Sequence, residues 1–189
     1  MDVLTALLSR RSESRLIEPA PGDMEFGYLL RAAAASPDHD GLRPWRWILV
    51  RGEGRGGLAG ILNDDVARGP ASRPQSDNLD ATSAPLLAAL VFAPDEDRPT
   101  AEWDQLAATS AMTNSLMLLL HARGFGSIWR SEQPAEAADI SRRLGLEGGE
   151  QVLGWLRIGT PEQAKVNKRR TPEDVSDRIS SFTADPVAA

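Results

Sequence analysis

The chain is expected to fold as one α/β or α+β domain, with a small sheet flanked by helices and one long buried central helix. Three observations predict this. Helix-like and strand-like segments alternate from end to end, without internal repeats. Ala84 to Phe92 is a continuous apolar run, as in a strand covered on both faces. Leu116 to Leu120 reads Leu-Met-Leu-Leu-Leu within a longer helical stretch, apolar all round and therefore buried.

Taken in order, Val3 to Ser9 places Val3, Leu4, Leu7 and Leu8 on one face, a short amphipathic helix. Pro19-Ala20-Pro21-Gly22-Asp23 breaks the chain, and Asp23 is placed to cap a helix over Met24 to Ala35. Pro37 ends that helix, and Pro44 holds the chain extended before a strand over Trp45 to Val50. A helix is expected near Leu58 to Leu62. Asn63 to Ser83 is polar and aperiodic, a long excursion with at most a short helix. The long helix spans Trp103 to Ala122, and its first half, Ala107-Ala108-Thr109-Ser110-Ala111, is small enough for another element to approach closely. Gly124 caps its end. A strand over Ser127 to Arg130, a helix over Ala135 to Leu144 and a strand over Gln151 to Ile158, ending at Gly159-Thr160-Pro161, complete the body. Residues 1–189 form a single domain in this reading, with 163–189 as a polar C-terminal arm.

Composition removes several function classes. A chain of 189 residues with 41% hydrophobic content can bury a real core. No stretch approaches the roughly 20 apolar residues of a membrane helix, and no basic segment precedes an apolar run at the N-terminus, so no membrane role and a cytoplasmic location are expected. Without cysteine there is no disulfide, thiol nucleophile or thiolate metal site. The net charge of -6 argues against nucleic acid as a partner. His39 and His121 make no metal pair, because His121 ends an apolar helix with no carboxylate or histidine at i±4. No Walker loop, nucleophile elbow or dinucleotide fingerprint is present. The five tryptophans read as core or interface packing.

Three separated segments carry the chemistry. Arg10-Arg11-Ser12-Glu13-Ser14-Arg15 follows the first helix, and two guanidinium groups with a hydroxyl match the oxygens of a phosphate dianion. A cationic helix C-terminus, stabilised by its own dipole, explains the same residues without a ligand. Pro37-Asp38-His39-Asp40-Gly41-Leu42-Arg43-Pro44-Trp45 lies between helix and strand, where loops present groups to ligands. Gly124-Phe125-Gly126-Ser127-Ile128-Trp129-Arg130-Ser131 combines a helix stop with a strand whose glycines admit close backbone approach.

In this order and spacing the three segments resemble the FMN-dependent NAD(P)H nitroreductase family, from Arg10 to Gly159 and more weakly to Val175. The resemblance implies an α+β fold built as an intertwined homodimer, with FMN at each subunit interface. Arg10, Arg11 and Ser12 match the family's early Arg-x-Ser, which holds the flavin phosphate and ribityl chain. Ser14 stands where the family often has a second cation, and the cation comes one residue later, at Arg15. Aligned on Pro44-Trp45, the second segment carries Asp38, Gly41 and Arg43 in place of the family's serine, asparagine and glutamine. A smaller branch of the family has Pro-Asp-His here, which makes His39 and Arg43 cofactor-facing residues supplied by the neighbouring subunit. The third segment implies main-chain and side-chain contacts with the flavin from Ile128, Trp129, Arg130 and Ser131. Arg170, in Lys168-Arg169-Arg170-Thr171-Pro172, resembles the family's late phosphate-reaching cation. The implied function passes electrons from NADH or NADPH through FMN to a nitroaromatic, a quinone or another electron-poor small molecule in a ping-pong cycle, with no side-chain acid or base required. The departures at Ser14, Asp38, Gly41 and Arg43 leave open a flavin-binding carrier or redox-sensing dimer without reductase activity, and a flavin-free interaction protein on the same fold.

Overall fold

A five-stranded antiparallel sheet with helices against both faces forms the body of the computed structural model, which describes residues 1–68, 82–130, 141–163 and 168–182. The elements run α1 (Val3–Ser9), β1 (Leu16–Ile17), α2 (Asp23–Ala33), β2 (Trp45–Val50), α3 (Glu53–Arg68), β3 (Leu86–Phe92), α4 (Glu102–Ala122), β4 (Gly126–Arg130) and β5 (Gln151–Pro161), followed by a 3₁₀ turn at Ser176–Arg178. Strand β5 is the hub, pairing with β1, β3 and β4, while β2 pairs with β3. All these ladders are antiparallel, so the fold is α+β.

Alternation along the strands divides the core in two. Leu86, Ala88, Leu90, Leu156 and Ile158 face α2 and α4, where they meet Phe26, Leu29, Met112, Leu116 and Leu120. Leu87, Ala89 and Trp155 face the other way and pack with Leu58 of α3. Every residue of β3 is buried, as its unbroken apolar sequence predicts. Helix α4 buries most of its length, although Leu118 and Leu119 are half-buried and Trp103 is exposed. Its small-residue half is approached as expected: Thr109 Oγ1 donates to Pro44 O at 3.4 Å, and Ser36 Oγ lies 3.5 Å from Ala111 O.

Several elements depart from the sequence reading. Helix α1 forms where expected but turns its other face inward. Ala6 and Ser9 are buried, whereas Val3, Leu4 and Leu7 stand in solvent. Asp23 is the first helical residue rather than the cap; Gly22 holds the cap position, and the Asp23 carboxylate instead accepts from Arg51 Nε at 2.9 Å. Helix α3 is longer than its sequence indicated, because Gly54, Gly56, Gly57 and Gly60 weaken its intrinsic helical signal. Of the segment 63–83, residues up to Arg68 are helical and 69–81 lie outside the described residues. Of the helix expected over Ala135 to Leu144, residues 141–143 are helical and 135–140 lie outside them.

Strand β5 does not stop at Ile158. It continues through Gly159 to Pro161 because β1, a two-residue strand too short to show any periodicity, pairs with its end. Gly159 makes this junction possible: a Cβ there would lie 2.8 Å from Pro85 Cδ and 2.9 Å from Ile17 O.

One ion pair locks the far end of the sheet. Arg46 of β2 donates Nε and Nη2 to the two oxygens of Glu150 at 2.7 and 2.6 Å, and Nη2 also reaches Gly145 O. The Arg46 hydrogen bond is the chief reason the Glu150 carboxyl lies below its ordinary value of 4.5. A lowered folded-state value gives stability that is present above the ordinary value and lost as pH falls through the lowered one. Glu150→Gln is therefore expected to cost about 1 kcal/mol at neutral pH, a difference that shrinks as pH falls and the carboxylate protonates, as urea melts over a descending pH series would measure.

Candidate functional site

A cavity of about 420 Å³ opens where the C-terminal ends of α1 and α4 meet the start of β4 and the end of β5. Local sequence explains how each wall is held. Helix α4 ends in a Schellman motif: Gly124 takes φ +90°, its N–H donates to His121 O, and Phe125 N–H donates to Leu120 O. This sharp stop drops Gly126 directly into β4 beneath α1. Gly126 is closely packed: a Cβ would stand 2.8 Å from Leu16 Cδ2 and 3.0 Å from Pro161 Cγ, so these side chains would have to shift to admit one. The segment after α1 lies along β4 through a parallel bridge between Ser12 and Ser127, with Glu13 N–H donating to Ser127 O at 3.2 Å.

Cations dominate this corner. Arg10, Arg11 and Arg169 line the cavity, and Glu13 is its acidic member. Arg10 has its Nη1 buried without a hydrogen-bond partner. Its pKa is pulled below the ordinary arginine value by burial first, then by Arg170 and Arg11. Like charges gathered around a half-buried guanidinium with an unmet donor are what an anion would relieve. The C-terminal segment is tied to the same corner: Arg170 N–H donates to Leu8 O at 2.9 Å and its Nη2 to Arg10 O at 3.4 Å. Arg11 is committed differently. Its guanidinium donates to Leu8 O, Arg10 O and Lys168 O, so it fastens that segment to α1.

The other sequence-predicted residues are dispersed. Ser12 is exposed beside β4, and Ser14 lines a second hollow of about 350 Å³ with Glu13, Arg15 and Gln163. Ile128, Trp129 and Arg130 continue β4 beyond the part that lines the cavity; alternation turns Trp129 toward the α2–α4 core, while Arg130 pairs across from Trp155. The Trp129 Nε1–H is buried without a partner. Ser131 lies outside the described residues. His39 and Arg43 sit in an exposed turn that does not line the cavity. There Asp40, Gly41 and Arg43 take φ of 55°, 68° and 50°, and Asp38 Oδ2 accepts from Arg43 N–H at 2.8 Å. Asp38 Oδ1 is buried without a partner.

Sequence reasoning missed His121, Phe125, Gln163 and Arg169 as lining residues. His121 gave no signal because its link to α1 is tertiary: Nε2 meets Ser9 Oγ at 2.8 Å. Among the described residues, no group of His, Asp or Glu gathers as a metal site would require.

The class this defines is an α+β protein with a cationic cavity at one end of an antiparallel sheet, suited to a ligand that carries a phosphate. The unmet Arg10 donor fits the phosphate of the flavin implied by the sequence resemblance. Comparison with known proteins then fixes the family. The Nitroreductase family profile matches residues 7–160, and the chain belongs to that family. It is 32% identical over 175 residues to "Putative NAD(P)H nitroreductase YdjA" of Escherichia coli strain K12, covering 92% of this chain and 96% of that one. A nitroreductase-like family protein from Bacillus cereus superposes with a TM-score of 0.76 at 26% identity, over 96% of each chain. The FMN- and NADPH-dependent nitroreductase NfnB from sphigopyxis sp. strain HMH shares the fold, with a TM-score of 0.72 at 19% identity over 98% of this chain and 100% of that one.

Proposed function

We propose that the protein is an FMN-dependent oxidoreductase that moves electrons from NADH or NADPH to a nitroaromatic, a quinone or another electron-poor acceptor in a ping-pong cycle. The observation that carries this reading is the buried, unpartnered Arg10 Nη1 in a cavity lined by further arginines. When bound, FMN supplies the two-electron chemistry. The chain would supply the grip: Arg10 and Arg170 would hold the phosphate, Ser12 would add a hydroxyl, and Gly126 and Ser127 would offer main-chain groups. The cavity's volume is in the range of roughly 300–1,000 Å³ usual for small-molecule sites.

The functional unit in this reading is a homodimer. Two features support it. His39 and Arg43 stand away from the cavity of their own protomer, so a second copy is needed to bring that turn to a flavin. Met1, Val3, Leu4 and Leu7 on and before α1, with Ile179 and Phe182 in the C-terminal segment, leave large apolar side chains uncovered, Phe182 at 97% exposure. Residues 163–189 act as an arm of a single domain.

Absorption between about 300 and 600 nm, with and without added FMN, tests the cofactor. Flavin bands that persist through gel filtration, and that bleach on anaerobic addition of NADH or NADPH, are the expected result. Parallel double-reciprocal plots for reductant and acceptor are expected from the ping-pong cycle. Bands that nicotinamide leaves unchanged would favour the carrier or sensor reading, and a flat spectrum after FMN addition would end both.

A further inference from the structure

Among the described residues, His121 is the one side chain in the cavity wall that can change its charge near neutral pH. Its bonding fixes its tautomer. Ser9 Oγ lies 2.6 Å from Thr5 O, a carbonyl that can only accept, so the single hydroxyl proton of Ser9 points there. The imidazole Nε2, 2.8 Å from the same Oγ, must then carry the hydrogen and donate it. The neutral ring keeps Nδ1 bare, and any added proton enters at Nδ1. Charged groups share the wall with it: Arg10 and Arg11 from the end of α1, Glu13 from the segment after it, and Arg169 from the C-terminal segment, with Met1 also among the lining residues. On α4 itself, Arg123 is paired with Glu25 of α2 at 3.4 Å.

We propose that His121 is the proton-linked member of this anion site: when a dianion settles beside Arg10, the imidazole takes up one proton from solvent at Nδ1 and keeps it while the anion is bound. The inference rests on the phosphate-site reading of the cavity. Without an anion, burial holds the imidazole below its ordinary value of 6.5, reinforced by Arg10 and Arg11 and opposed by Glu13. A bound dianion cancels the field of those arginines and adds an attraction of its own, which favours the imidazolium. Ser9 is already placed to accept from Nε2 in both charge states, so uptake needs no rearrangement of α1 against α4.

The chain has two histidines, which makes the test direct. Histidine Cε1–H signals of the full-length protein are followed by NMR from about pH 5 to 8.5, in chloride and in saturating sulfate, with His39→Gln to assign them. Sulfate is the probe because it stays a dianion throughout, whereas a phosphate monoester titrates near 6. The His121 midpoint is expected to rise by about one unit with sulfate. By linkage, sulfate should bind about tenfold more tightly on the acid side of that window than on the alkaline side. In His121→Gln, with folding checked by circular dichroism, this pH dependence should vanish. Sulfate binding that leaves the His121 midpoint unmoved would overturn the inference and leave the flavin reading intact. FMN binding without sulfate binding would also overturn it, by removing the free anion site. Failure of both ligands to bind would remove the flavin reading together with it.

Discussion

Arg10→Ala protein is expected to lose its flavin on dialysis under conditions where the unchanged chain retains it. A charge-assisted hydrogen bond contributes roughly 1.5–3 kcal/mol, which corresponds to binding weakened roughly 10- to 150-fold. The expectation rests on the buried Nη1 with no partner within the protein. Arg10→Lys should recover only part of the loss, because an ammonium keeps the charge but not the planar fork. Arg11→Ala is a useful contrast. Its guanidinium already serves Leu8 O, Arg10 O and Lys168 O, so its loss should first loosen the C-terminal segment, read as faster proteolysis after about residue 163. Equal flavin retention in Arg10→Ala and the unchanged chain would remove Arg10 from the phosphate site.

Gly159→Ala should be the most damaging single methyl in the sheet. The new Cβ would press on Pro85 Cδ at 2.8 Å, Ile17 O at 2.9 Å and Leu16 Cβ at 3.1 Å. A backbone oxygen and a proline ring cannot swing aside as the end of a long side chain can, so the pairing of β1 with β5 must open. Overpacking of this kind costs about 1–3 kcal/mol, or a Tm lower by roughly 2–12 °C at this chain length. Since β1 anchors on β5 the chain that follows the Ser12–Ser127 bridge, flavin affinity should fall in the same variant. An unchanged Tm would mean that the strand end is looser than these distances imply.

The elements that could be read in the sequence are those whose signal is internal to one segment. Strand β2 over Trp45–Val50 and helix α4, expected from Trp103 and observed over Glu102–Ala122, follow from a proline before one and a long stretch, apolar all round near its end, in the other. The wall of the cavity is of the opposite kind. Nothing in Leu118-Leu119-Leu120-His121 announces that its histidine meets a serine more than a hundred residues earlier, because α1 docks on α4 through Ala6 and Ser9 and not through its larger apolar side chains. Strand β1 escapes for a related reason: two residues cannot display a period, and only the end of β5 makes them a strand. Charge clustering was legible at Arg10-Arg11, yet their division of labour was not. One guanidinium is left unsatisfied and its neighbour is spent on carbonyls, a distinction that appears only when the chain's far end returns to α1.

The position of β5 at the hub of the sheet also sets a timetable for folding on the ribosome. Strands β1, β3 and β4 all hydrogen-bond to a segment made after every one of them, and Leu16 waits for Pro161 across most of the chain. Early in synthesis only local helices and the β2–β3 ladder have their partners, so the apolar surface of β3 stays open until β5 emerges. Such non-local closure is slow and leaves hydrophobic edges available to wrong partners in the meantime. Slower translation just before residue 151 would prolong that exposure.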